Sequence, residues 1–169
     1  MNRARGYVLV VAVQAVLLLG WAGFHEWNRA SAPTILLETV PVDPRDLLRG
    51  DYMILSYKIS RVPAPAKTGR VVSPGREIWV TLRPQGRFHE VVAASWTEPV
   101  AAADLLVVRG RARDGAAGGT IRVDYDIEKY FVPEGKGQPR FKEMVVEATV
   151  SEAHRLGIKR LLIDGRAYP

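Results

Sequence analysis

The sequence predicts a mainly β protein: an N-terminal transmembrane helix followed by a β-sandwich or barrel-like extracytoplasmic domain. Three observations predict it. Residues 6–24 carry no charge and one strongly polar side chain, Gln14, and about 20 apolar residues suffice to cross the roughly 30 Å hydrocarbon core of a bilayer. Beyond them, short segments alternate apolar and polar side chains with the period of two that marks a half-buried strand. Gly and Pro punctuate those segments, and no amphipathic helical stripe follows the apolar run, which favours sandwich and barrel architectures.

The 169 residues divide into a cytoplasmic N-terminus with its signal anchor (1–27), a linker (28–33) and an extracytoplasmic domain (34–169). Arg3 and Arg5 precede the apolar run and nothing comparably basic follows it closely, so the positive-inside bias keeps the N-terminus in the cytoplasm. Tyr7 at one end and Trp21, Phe24 and Trp27 at the other are placed to meet the two membrane interfaces. Ala30-Ser31-Ala32 has the small-x-small form of a cleavage site. The apolar run, however, exceeds the roughly 7 to 15 residues of a signal-peptide core, and Pro33 would directly follow the cut. A retained anchor is therefore expected, held in the lipid bilayer through residues 6–24.

Residues 34–40 read as the first strand. Pro41 and Pro44, with alternating charges between 43 and 49, make the next stretch a surface loop. Gly50-Asp51 forms a turn signal, because Gly reaches positive φ cheaply and Asp hydrogen-bonds its own backbone two residues on. A strand then runs to residue 60 with Met53, Leu55, Tyr57 and Ile59 on its inner face. Residues 61–75 contain Pro63, Pro65, Gly69, Pro74 and Gly75 and read as an exposed loop.

A hairpin follows. Ile78, Val80 and Leu82 face inward on its first strand, Pro84-Gln85-Gly86 turns the chain, and Phe88, Val92, Ala94 and Trp96 share a face on the second. Residues 105–113 form another strand, ending at the Gly-rich turn 114–119. The cleanest alternation spans 120–127, with Ile121, Val123, Tyr125 and Ile127 inward and Thr120, Arg122, Asp124 and Asp126 outward. Residues 128–130 fit a short helical turn. Two more strands, 142–150 and 159–163, close the set before Asp164-Gly165.

Composition excludes some chemistry. Cysteine is absent, so disulfides, thiolate metal sites and cysteine nucleophiles are impossible. The net charge of +6 is modest, and no basic cluster interleaved with aromatics points to nucleic acid. The dense basic run is Arg109, Arg111 and Arg113, either a solvated strand face or a patch for phosphate or lipid headgroups. His25, His89 and His154 lack metal-ligand spacing, and no phosphate-binding loop or dinucleotide fingerprint is present. Asp124, Asp126 and Glu128 could gather around Ca²⁺, but their strand-like alternation lacks the irregular backbone of a calcium loop. No cofactor is expected.

Gly50-Asp51-Tyr52-Met53-Ile54-Leu55-Ser56-Tyr57 resembles the signature of the GDYXXLXY family of bacterial membrane-anchored proteins, with Gly50, Asp51, Tyr52, Leu55 and Tyr57 at its defining positions. A second stretch, 130–137, is similar to that family's downstream segment, through Tyr130, Phe131, Pro133, Glu134 and Gly135 among others. The resemblance implies a single-pass protein of the inner membrane. Members of that family are often encoded beside multi-spanning membrane proteins, so it also implies an accessory or interaction role rather than an enzymatic one. These ten residues are the candidate contacts for a partner or ligand. An alternative is a membrane-tethered hydrolase, since Ser31 beyond the anchor and Lys58 faintly resemble the serine and lysine of type I signal peptidases. The methionine normally beside that serine is Ala32 here, however, and the later Gly-Asp-Asn element is missing.

Overall fold

Residues 3–40, 52–66, 72–100, 102–115, 119–131 and 142–168 are described by a computed structural model. The apolar N-terminal stretch satisfies its backbone hydrogen bonds internally as one helix, α1 (Arg3–Ser31). Its Gly6–Trp27 portion is long and apolar enough to cross a membrane. The helix also takes in most of the stretch expected to be a linker. No Gly or Pro interrupts residues 24–32, and the steric restriction that Pro33 places on Ala32 is the first stop signal. The compact units accordingly divide between Ala32 and Pro33.

The second unit is built from strands: β1 (Thr34–Glu38), β2 (Tyr52–Ile54), β3 (Arg61–Pro63), β4 (Glu77–Gln85), β5 (Phe88–Ser95), β6 (Leu106–Gly115), β7 (Thr120–Asp124), β8 (Lys129–Phe131), β9 (Met144–Val150), β10 (Leu156–Ile163) and β11 (Arg166–Tyr168). They form three antiparallel sheets, ordered β1-β9-β10-β11, β3-β7-β6-β4-β5 and β2-β8. The edge strands β3 and β5 of the larger sheet approach one another, and β5 also lies near β1. Among the described residues no strand pairing joins β3 to β5. The larger sheet thus curls without closing, and of the two expected architectures a closed barrel is not formed.

One hydrophobic core serves all three sheets. Leu37, Val146 and Leu161 come from the first sheet, Ile78, Val80, Leu82, Val108, Ile121 and Val123 from the second, and Met53 from the third. The alternation read at 120–127 appears as burial of Ile121, Val123, Tyr125 and Ile127, although the β7 ladder itself stops at Asp124.

Five local readings are corrected. The strand expected to continue to residue 60 ends at Ile54. Its partner β8 is only three residues long, and the chain passes from it to the end of β1, through Leu55 N–H to Glu128 O (2.7 Å), Val40 N–H to Ser56 O (2.8 Å) and a bridge between Thr39 and Tyr57. A single 3-10 turn (Lys58–Ser60) follows, yet Met53, Leu55, Tyr57 and Ile59 all remain buried. The supposed exposed loop 61–75 contains β3, whose Val62 is fully buried; Pro63 is tolerated because β3 is an edge strand.

On β5 the apolar face is shifted. Thr81 pairs with Ala93 and Leu82 with Val91, so Val92 is an extra residue in a β-bulge. Val92 is consequently exposed, while Val91 packs on the core with Ala94 and Trp96. Residues 129–131 are strand rather than helical turn, because they pair with β2. Asp164-Gly165, at φ 48° and 79°, turns β10 into a final strand, β11, that the sequence reading omitted. Positive φ at both central residues is the type I′ geometry that matches strand twist.

Candidate functional site

The two family-like segments are neighbours. Tyr52 lies opposite Phe131, Met53 opposite Tyr130 and Ile54 opposite Lys129. Beyond the ladder, the Tyr57 hydroxyl donates to Ile127 O at 2.6 Å, and the Tyr125 hydroxyl donates to Ile59 O at 2.7 Å. Both phenols are buried and so need partners. Burial raises both above the ordinary tyrosine range, with the Glu128 carboxylate adding to the effect.

Glu128 closes the turn between β7 and β8. Its Oε1 accepts the Tyr125 N–H at 2.6 Å, bridging a backbone that takes positive φ at Asp126. Burial raises the Glu128 carboxyl; the backbone N–H groups of Tyr125 and of Glu128 itself oppose that rise, and nearby Asp124 and Asp126 add to it. The three carboxylates that could have gathered around Ca²⁺ are engaged otherwise. Asp124 faces Arg113 at 3.8 Å and Asp126 faces Arg111 at 3.2 Å, while Glu128 is turned to the backbone.

The candidate residues divide by burial. Leu55 and Tyr57 belong to the core. Tyr52 is half-buried, with its ring edge-on to Phe131 at 6.2 Å, and Phe131 is 74% exposed. Lys129 sits 5.3 Å over the Tyr52 ring. Tyr130 is half-buried and its hydroxyl donates to Tyr168 O at 3.3 Å. Gly50, Asp51, Pro133, Glu134 and Gly135 lie outside the described residues. The arrangement therefore offers an aromatic contact surface with a cation on it, backed by two core anchors.

The other candidates are dispersed. His25 lies in α1, edge-on to Trp21 and Phe24. His89, on β5, has a buried Nδ1 with no hydrogen-bond partner among the described residues, and burial holds its imidazole below the ordinary histidine range. His154 contacts Val107 O through Nδ1 at 3.1 Å and Glu98 through Nε2 at 3.3 Å. Among the described residues no three His, Asp or Glu side chains converge at metal-binding distance. Lys58 is 58% exposed and paired with Glu38 at 2.6 Å. A lysine general base instead needs burial or a cationic neighbour.

Sequence reasoning missed Tyr125 and Ile127 as partners of the signature. Their inward alternation was visible, but their pairing with Tyr57 and Ile59 spans 70 and 66 residues and has no local signal.

Fold and site together define a β-rich domain that follows an apolar helix of membrane-spanning length, with its signature segment fastened across the core. The chain belongs to the GDYXXLXY family: the family model described as GDYXXLXY protein matches residues 14–168. No curated protein and no solved structure matches it.

Proposed function

We propose that this is an accessory protein of the bacterial inner membrane, anchored by α1 with its N-terminus in the cytoplasm, and that its extracytoplasmic β domain binds a multi-spanning membrane protein rather than catalysing a reaction. The observation that carries this reading is the split within the signature ribbon. Met53, Leu55 and Tyr57 are committed to the core, whereas Tyr52 and Phe131 form an outward aromatic pair beside Lys129. Aromatic side chains with an adjacent cation are the residue types that concentrate binding energy at interfaces.

The test is recovery of the full-length protein from membranes in mild detergent. A stoichiometric membrane partner is expected with the wild type and lost with Phe131→Ala, while the melting temperature of the variant stays unchanged. Recovery of the wild type without a partner, or labelling of Ser31 by a serine-reactive probe, counts against the reading. A reporter fused after Pro169 should be active only outside the cytoplasm, and intact-mass measurement should find the helix retained.

A further inference from the structure

A cleft of about 300 Å³ opens beside β6 where the sheet is interrupted. β6 pairs with β7 from Arg111 onward, as far as Asp124. Below that point the β9–β10 connection takes over as neighbour, with the Arg109 N–H donating to His154 O at 2.8 Å. Between the two lies Gly110, and an added Cβ there would sit 2.4 Å from Val123 Cγ1 and 3.0 Å from Tyr125 Cδ1. Tyr125 and Leu156, both buried, also line the cleft.

Three arginines line this gap: Arg109, Arg111 and Arg155. Two are pre-positioned by carboxylates, Arg109 by Glu77 at 3.1 Å and Arg111 by Asp126 at 3.2 Å. Those acids are 51% and 57% exposed, so the pairs are weak in water and open readily to a competing anion. Arg155 is exposed and makes no ion pair among the described residues. Its backbone is nevertheless fixed, because Ser151 Oγ accepts the Arg155 N–H at 3.1 Å and donates to Arg155 O at 3.2 Å. His154, at φ 59°, holds the same turn against β6 through Val107 O.

We propose that this cleft binds a phosphate group, carried either by a small soluble ester or by a lipid headgroup. Arginines line the gap from β6 and from the β9–β10 connection, and planar guanidinium forks match phosphate oxygens. Two carboxylates leave one positive charge uncompensated. The volume exceeds what a bare phosphate fills, leaving room for the group it is attached to. The site is separate from the aromatic ribbon, although Tyr125, which lines the cleft, also holds Ile59 O through its hydroxyl.

Full-length protein in a neutral detergent is titrated with glycerol phosphate at constant ionic strength, and the washed protein is weighed by native mass spectrometry for retained phosphatidylglycerol. Arg155→Gln leaves the fold intact because that guanidinium makes no hydrogen bond or ion pair among the described residues, and Arg166→Gln, on exposed β11, is the control. Saturable glycerol phosphate binding, weakened about five- to tenfold in Arg155→Gln but not in Arg166→Gln, assigns a soluble phosphate. A retained phosphatidylglycerol adduct lost only in Arg155→Gln assigns a headgroup. The proposal is overturned if neither ligand binds, or if the two variants behave alike.

Discussion

Tyr57 and Tyr125 are reciprocal: each buried phenol donates to the backbone carbonyl of the residue two beyond the other, Tyr57 to Ile127 O and Tyr125 to Ile59 O. The last tyrosine of the family signature is thus one half of a latch across the core. Tyr57→Phe and Tyr125→Phe each leave a buried carbonyl unpaired and should destabilise by about 1–3 kcal/mol. The double variant should fall short of the sum by about 0.5 kcal/mol or more, because both bonds hold the same two segments. Unfolding of the three variants in detergent checks this, and strict additivity would refute the latch.

Gly110→Ala should destabilise by about 1–3 kcal/mol through overpacking, since its Cβ would also lie 2.9 Å from the Asp124 carbonyl oxygen, which cannot move aside. Gly157→Ala meets only the Thr149 hydroxyl at 3.3 Å and should be milder. Equal melting temperatures for the two variants would contradict this account.

The ribbon should separate by burial. Leu55→Ala leaves a core cavity and should cost about 2–5 kcal/mol, whereas Phe131→Ala, at a site 74% exposed, should stay within about 0.5 kcal/mol of wild type. Thermal unfolding distinguishes them directly.

Two carboxylates should pull the pH profile in opposite directions. The fold raises Glu128, so its contribution is complete below about 4.5 and is lost as pH rises through its folded value. The fold lowers Asp164, chiefly through the backbone N–H of Glu143 and then that of Lys142, so its contribution is present above about 3.8 and is lost as pH falls through its folded value. Glu128→Gln keeps an acceptor for Tyr125 N–H without the charge and should match or exceed wild type at neutral pH, the gap closing in acid. Asp164→Asn should be less stable at neutral pH, and its gap should also close in acid. Melting temperatures across about pH 2 to 8 would show these signs, and a Glu128→Gln protein less stable at neutral pH would reverse the first.

The bulge makes a sharper test of register. Val91→Asp should prevent stable folding, while Val92→Asp should be tolerated, because only Val91 packs on the core. Read from sequence alone, the alternation through Phe88, Ala94 and Trp96 predicts the reverse.

That contrast shows where sequence was informative. Residues 77–82 and 120–127 were readable because their side chains alternate against one continuous core, and α1 because an uncharged apolar run of that length satisfies its backbone internally as a helix. The β5 register was not, because an extra residue opposite Thr81 and Leu82 depends on the partner strand. β3 was hidden because Pro63 argues for a loop unless the strand is known to lie at an edge. In the arginine cleft, Arg109 and Arg111 stood out as a basic run, but Arg155 reaches them only through the His154 contact with β6.

The curl of the five-stranded sheet also bears on self-association. Exposed strand edges invite copies of a protein to pair through their backbones, and tethering to a bilayer would raise the encounter rate by confining molecules to a plane. Here β3 and β5 turn toward each other, one ending in Pro63, which has no N–H to offer, and the other kinked at Val92. These two edges are therefore poor templates for pairing between copies, which disfavours fibrous assembly of the domain.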